Sequence, residues 1–447
     1  MSFIADRQTL DDLNLLGRFK QGSVFSLFNK VHTKGGENLL ETMFKTPLTD
    51  HQAINERSRL FSFFQNEQLD FPFDAKKFET AINYLDSEPS SSPVLASAGM
   101  IVKSIQGRLL KDEKYETLKN GFDSAIVTLK TCKDFFRQLD PNKNPFGRQV
   151  KQVARLFNDP RLGWLDSDVL KEKTSIIKFS RFDHLLRSVL VKDVRNLLEI
   201  IHELDVCIAV AKVAAANNFS YATAYPSSDQ FLKAEELQHP TLKKAVGNEI
   251  SLDQKGNVVF LTGANMAGKS TLMKTVGVSF YLAHMGFPIA AKQMDFSVKA
   301  GIFSSINTPD DLKMGYSHFY AEVMRVKKVA EEVALGKHLL VIFDELFKGT
   351  NVKDAYDATL AVTEAFALYH NCFFIISTHI IEVGESLKRT CDNLQFKYLP
   401  TIVENNIPRY TYKLSEGITS DRQGMMIIEN EGILELLNLN RQQKPFA

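Results

Sequence analysis

Residues 263–270 read Gly-Ala-Asn-Met-Ala-Gly-Lys-Ser, which satisfies the phosphate-loop pattern G-x-x-x-x-G-K-[ST]. Glycine at both ends of the loop lets the backbone turn so that successive N–H groups point at phosphate oxygens. Lys269 has the reach for β- and γ-phosphates, and the Ser270 hydroxyl is a hard oxygen ligand for Mg²⁺. The flanks suit this reading. Asn257 to Thr262 is a strand-like run, and Ser270 to Ala283 reads as a helix whose N-terminus faces the phosphates. The expectation is nucleoside triphosphate binding, with a chance loop as the alternative.

Two further strand-like runs follow, at 338–343 and 372–377. Continuous apolar strands separated by helical stretches predict a mainly parallel sheet covered on both faces. The first of these runs leads into Asp344-Glu345, a Walker B pattern. Asp344 is placed to support the Mg²⁺ held by Ser270, and Glu345 to orient or deprotonate the attacking water. The plain alternative is a strand ending in two surface acids. The second run ends in Ser377-Thr378-His379, which puts His379 beside the γ-phosphate at the open edge of the sheet; a capping or surface histidine is the other reading. Between the two Walker motifs, residues 310–322 form a polar, glycine-containing stretch. Ser317 there either caps the next helix or receives a phosphate, in the same chain or from a partner. The following helix carries Arg325, Lys327 and Lys328.

The 447 residues leave room for two or three domains, and 44% hydrophobic content supports real cores. Net charge is +1, and residues 231–447 carry 23 basic and 24 acidic side chains. Neither half is a basic block, so composition gives no support for nucleic-acid binding and leaves room for a local patch. Cys132, Cys207, Cys372 and Cys391 form no CxxC pair, as expected of a reducing compartment and against zinc. There is no signal-peptide pattern and no apolar run of about 18 residues. The expectation is a cytoplasmic protein without membrane association.

The first half is helical in character. Leu39 to Phe44, Ala53 to Phe64 and Val102 to Phe136 repeat apolar residues at three- and four-residue spacing. Phe182 to Asn217 has neither Pro nor Gly and is predicted as one long helix. The character changes near 220–235, so the predicted division is a helical domain over 1–225 and an α/β domain over 226–447.

Taken together, these motifs resemble the MutS family of ABC-type ATPases. The inner Asn265-Met266 of the loop 263–271 is similar to that family's Walker A. Asp310-Asp311-Leu312 to Ser317 and Phe319 resembles its signature loop, with Glu322 at the matching acid. Asp344 to Thr350 resembles its Walker B and following turn, Thr378-His379 its Thr-His, His239-Pro240 its His-Pro, and Gly286 to Ala291 a further family stretch. Asp6 to Leu13, Thr33, Gly36, Leu39-Leu40, Pro47-Leu48 and Ile54 to Arg57 resemble the start of its core, or lever, domain.

The resemblance implies an all-helical core/lever domain followed by a P-loop ATPase domain, ATP and Mg²⁺, and a homodimer that sandwiches two nucleotides. The implied nucleotide contacts are Gly263, Ala264, Asn265, Met266, Ala267, Gly268, Lys269, Ser270, Thr271 and Ser317, Ser317 reaching the nucleotide of the other protomer. Ser270 and Asp344 would hold the metal, and Glu345, Lys269 and His379 would act in hydrolysis. The family aromatic that stacks on adenine aligns near Ala245, and Tyr412 is the substitute. The implied role is DNA mismatch repair through an ATP-driven switch on double-stranded or branched DNA.

Departures leave alternatives open. The sequence matches from the core domain onward, without counterparts of the mismatch-reading and connector domains, and its only Phe-x-Glu is Phe343-Asp344-Glu345. Residues 138–182 are either a reduced clamp, with Lys143, Arg148, Lys151, Arg155, Arg161, Lys171 and Lys173 toward phosphates, or a solvated helical connection. Phe347-Lys348 replaces the family's usual Gly-Arg, and the C-terminal dimerisation element is short. The competing functions are recognition of recombination intermediates, action on ribosome or RNA, and a nucleotide-binding scaffold.

Overall fold

A computed structural model describes residues 2–17, 22–87, 113–166, 176–264, 266–306, 318–404, 407–419, 428 and 430–442. Two compact units emerge. One comprises Met1–Leu27, Phe44–Ser58 and Ala216–Ala447; the other comprises Phe28–Met43 and Arg59–Ala215. The chain is a mixed α/β protein of more than one unit, and the units are interleaved along the sequence.

The first unit is organised by a six-stranded sheet whose strands lie side by side in the order Ser415–Glu416, Leu394–Leu399, Val258–Gly263, Phe373–Ser377, Leu339–Phe343 and Gly301–Ser305. Its strands are β5 (Val258–Gly263), β8 (Gly301–Ser305), β9 (Leu339–Phe343), β10 (Phe373–Ser377), β11 (Leu394–Leu399) and β14 (Ser415–Glu416). All neighbours run parallel except β14, which pairs antiparallel with β11. Every residue of β5, β8, β9 and β10 is buried, as expected of parallel strands covered on both faces. Phe260, Val341, Phe343, Phe374 and Ile376 form the heart of one core, packed against Val329, Val333 and Phe366 from the helices His318–Ala334 and Val352–Ala367.

The N-terminal segment belongs to this unit. Ile4 bridges Gly301 in parallel at the free edge of β8, accepting from Ile302 N–H at 2.8 Å. Two of the three basic residues of the helix His318–Ala334 are tied to it: Arg325 pairs with Asp6, and Lys328 Nζ lies 2.7 Å from the same carboxylate.

A second sheet, β2-β7-β3-β4, comprises β2 (Thr223–Tyr225), β3 (Phe231–Leu237), β4 (Asn248–Asp253) and β7 (Gln293–Ser297). It is mixed, with β2 parallel to β7 and the other pairs antiparallel. Its β4 alternates buried and exposed residues, the pattern of a strand with one wet face.

Near these strands lies a buried cation with neutral acceptors. Lys299 Nζ donates to Gln230 Oε1 at 2.5 Å and Asn371 O at 3.0 Å, and sits 3.7 Å from the Phe373 ring centre. Burial pulls its pKa down to about 7. Between that value and the ordinary one near 10.5 the unfolded chain binds more protons, so this group makes stability rise with pH across that window. Below pH 7 the burial penalty is fully present. In urea melts, wild type is expected to gain stability relative to Lys299→Met between pH 7 and 10. A difference that stays flat with pH would show that the amine is already charged.

In the second unit the described residues form helices, including Ala75–Asp86, Glu113–Arg137, Gly147–Phe157 and Val191–Asn217. Gly121 allows the first two to approach closely, since a Cβ there would lie 2.6 Å from Tyr84 Cβ. Buried Asp205 accepts from the backbone N–H of His32 and Thr33 and from the Thr33 hydroxyl.

The predicted single helix Phe182 to Asn217 is interrupted. The helix Ile176–His184 passes into a π-turn, Leu185–Val189, before Val191–Asn217 begins. Leu190 N–H reaches back five residues to Leu185 O at 2.8 Å. The wider turn accompanies a buried charge: Arg187 Nε lies 2.9 Å from Asp183 Oδ1 and its guanidinium reaches Ser87 Oγ at 2.5 Å. Apolar periodicity carries no sign of such a turn, because no breaker residue is needed to make it. Of the basic residues in 138–182, Lys171 and Lys173 lie outside the described residues, and Arg161 is held by Asp159 through paired hydrogen bonds.

Candidate nucleotide site

The parallel register brings three strand ends together. Ile376 lies opposite Phe343 and Ser377 opposite Leu261, so the residues after β5, β9 and β10 share one edge of the sheet. From β5 the chain enters the loop through Gly263 at φ 148° and leaves it through Gly268 at φ 102°, with Met266 at φ 67° between them. These are left-handed conformations that glycine adopts freely and other residues rarely do. Ala267 N–H closes the turn on Ala264 O at 3.2 Å. Asn265 lies outside the described residues.

Lys269 opens the helix Lys269–His284, and Gly268 caps it without a side chain. The first-turn N–H groups of this helix therefore gain no partner from their cap. Lys269 is buried, and its Nζ donates back to Gly263 O at 2.9 Å and Ala264 O at 3.3 Å. Burial lowers its pKa, opposed by the charges of Glu345 and Asp344. Ser270 donates its hydroxyl to Asp344 Oδ2. A hydroxyl and a carboxylate at hydrogen-bond distance form the small hard-oxygen set that a Mg²⁺–phosphate site takes from protein. Among the described residues no group of three or more His, Cys, Asp or Glu could hold a metal by itself.

At the end of β9, Glu345 has φ 55° and Phe347 φ 61°, a costly geometry for such residues. The Glu345 carboxylate meets His379 Nε2 at 2.5 Å through Oε1, and Lys348 Nζ at 3.8 Å through Oε2. The His379 hydrogen bond is the main influence lowering the Glu345 pKa, against the opposing effect of burial. His379 is thus placed on the acid rather than apart from it. Ser377 ties the ends of β9 and β10 together. Its hydroxyl donates to Asp344 Oδ1 at 2.5 Å, and its oxygens accept from Glu345 N–H.

Beside the loop is a cleft of about 200 Å³ whose walls include Leu237, Leu242, Val246, Gly268, Thr271 and Tyr412. Tyr412, the residue expected from sequence to stack on the base, lines it, and so does Ala245, near which the family's aromatic aligns. Tyr412 is half-exposed, and its ring approaches so closely that a Cβ on Gly268 would lie 3.0 Å from Cδ1. Asn248 fixes it by donating to Tyr412 O at 3.0 Å and accepting from Leu414 N–H at 2.7 Å. The structure therefore gathers Gly263, Ala264, Met266, Ala267, Gly268, Lys269, Ser270, Thr271, Asp344, Glu345, His379 and Tyr412 around one strand edge. Ser317, with all of 307–317, lies outside the described residues. Sequence reasoning missed Ser377 and Asn248 as supports. The only signal for Ser377 was its place at the end of an apolar strand beside Thr378-His379.

Two family models match the chain: MutS domain III over residues 8–211 and MutS domain V over residues 259–442. The chain belongs to the MutS family. It is 23% identical to the DNA mismatch repair protein MutS of Thermosipho melanesiensis over 96% of its own length and 62% of that protein's. For the protein of the same name from Streptococcus mutans the figures are 23%, 97% and 61%. The chain thus spans about three fifths of the length of these MutS relatives. The strand-edge residues from Val259 onward, Tyr412 included, fall within the MutS domain V match.

Proposed function

We propose that this MutS-family chain is an ATP hydrolase whose nucleotide cycle drives a dimer switch on DNA, in mismatch repair or related recognition of DNA structure. The observation that carries the proposal is the convergence of Lys269, Ser270, Asp344, Glu345 and His379 on one edge of a parallel sheet. The printed role of the relatives, DNA mismatch repair, supplies the biological setting. In this reading the core/lever domain expected over 1–225 keeps Phe28–Met43 and Arg59–Ala215, with a reduced clamp near 138–182, while Met1–Leu27 and Phe44–Ser58 go with the P-loop ATPase domain expected over 226–447.

The chemistry follows from the donors. Loop and helix N–H groups face the phosphates, where the helix dipole favours negative charge. Lys269 exchanges its two backbone carbonyl partners for phosphate oxygens, a stronger charge-assisted contact. Mg²⁺ bound with ATP would be held by Ser270 and Asp344 and would neutralise phosphate charge. Glu345 orients the attacking water and takes its proton, while His379 steers the carboxylate and turns to the γ-phosphate. Tyr412 stacks on the adenine. Ser317 from a second copy completes the site, so that ATP closes the homodimer and hydrolysis reopens it.

A cytoplasmic setting is part of this proposal; as to membranes, no described helix is long and apolar enough to cross one. The test is binding to matched, mismatched and branched duplexes and to RNA, with and without ATP, over a salt series. Salt matters because phosphate contacts dominate nonspecific affinity. The expected result is ATP-dependent retention on DNA, with a preference for mismatched or branched forms. Affinity for every DNA that is indifferent to ATP would overturn the switch, and preference for RNA would move the target to the ribosome.

A further inference from the structure

The geometry assigns Ser377 as a positioning residue that locks the metal-side acid Asp344 to the backbone of the catalytic acid Glu345, an assignment that rests on the function proposed above. Ser377 is fully buried at the last position of β10. Its hydroxyl lies between the two acids, donating to Asp344 Oδ1 at 2.5 Å and accepting from Glu345 N–H at 3.2 Å. The main-chain carbonyl of Ser377 accepts from that same N–H at 3.1 Å, so backbone satisfaction alone does not require a hydroxyl here. A buried hydroxyl without partners would be costly; this one spends its single proton on a carboxylate.

The consequence is a fixed carboxylate plane. Among the described residues Asp344 accepts from two hydroxyls, Ser270 on Oδ2 and Ser377 on Oδ1. When Ser270 turns toward the metal and phosphates, its bond to Asp344 is given up, whereas the bond to Ser377 need not change. Asp344 held in this way would offer its carboxylate to Mg²⁺ without first having to be ordered, so that Ser377 would favour metal binding. Partners that orient metal ligands typically matter about 10–100-fold for metal affinity or activity. The link to Glu345 serves the other acid, whose left-handed backbone at φ 55° must be held from outside.

The experiment measures affinity of the intact protein for a fluorescent ATP analogue while Mg²⁺ is titrated, with wild type, Ser377→Ala and Ser377→Thr, and repeats it in EDTA. Thermal melting of each variant runs alongside. For Ser377→Ala the half-saturating Mg²⁺ is expected to rise roughly 10-fold or more, with affinity in EDTA and the melting temperature little changed. Ser377→Thr, which keeps the hydroxyl, is expected to regain most of the Mg²⁺ affinity. An unchanged Mg²⁺ midpoint in Ser377→Ala overturns the assignment. So does a parallel loss in EDTA, which would mark a general collapse of the strand edge. Wild type that binds no analogue under any condition would instead sink the ATPase reading on which the assignment rests.

Discussion

Glu345→Gln is expected to lower ATP turnover by roughly 10²–10⁴-fold, the usual contribution of a positioned general base, while ATP still binds. The substitution keeps the size of the side chain and a hydrogen bond to His379, so the strand edge retains its shape. What it removes is the ability to accept a proton and the negative charge that orders water. The His379 hydrogen bond holds Glu345 below the ordinary carboxylate range, with burial opposing. The group is therefore ionised throughout neutral pH, and activity tied to it is lost only as pH falls below that range. Steady-state turnover paired with binding of a fluorescent ATP analogue checks the expectation. Equal turnover in the variant would remove Glu345 from the chemistry, and no turnover in the intact protein would favour a nucleotide-binding scaffold.

The largest stability effect is expected in the helical unit. Asp183→Ala leaves the Arg187 guanidinium buried without its counter-charge, a change that typically costs about 3–5 kcal/mol. Both side chains are almost wholly enclosed, at 2% exposure for Arg187 and 7% for Asp183. The same carboxylate accepts from the Tyr84 hydroxyl at 2.6 Å, so one truncation removes a partner from two buried donors. Trp164, the single tryptophan, stacks on Phe182 at 3.9 Å and reports locally on unfolding in urea. Removing both charges with Asp183→Ala and Arg187→Met is expected to recover part of the loss. A single-variant loss below about 1 kcal/mol, the scale of exposed pairs, would mean that water already reaches the pair.

The legible parts of this protein were those written in consecutive residues. The runs ending at Thr262, Phe343 and Ser377 announce themselves because parallel strands need apolar side chains on both faces. The loop 263–270 is visible because its backbone needs Gly263 and Gly268 in their observed conformations. By contrast, β4 alternates in a readable way and pairs with its sequence neighbour β3, yet the insertion of β7 between β2 and β3 joins segments far apart in the chain. The π-turn at Leu185–Val189 was hidden because it needs no breaker residue, and the contacts of Arg187 that accompany it include Ser87, 100 residues away. For the same reason the N-terminal segment reads as part of a helical half, although Ile4 pairs with Gly301.

Sequence alone picked out the glycine-framed pattern Gly263 to Ser270, the acids Asp344-Glu345, the Thr378-His379 pair and the resemblance to MutS, since each depends on residue type at short fixed spacing. Only the tertiary structure decided what these groups touch. Strand register set Ser377 between Asp344 and Glu345 and brought His379 onto the Glu345 carboxylate, while Asn248 held the segment that puts Tyr412 across from Gly268. The physical reason is reach: hydrogen bonds and ion pairs act over a few ångströms, and only folding brings residues from separate strands within that distance.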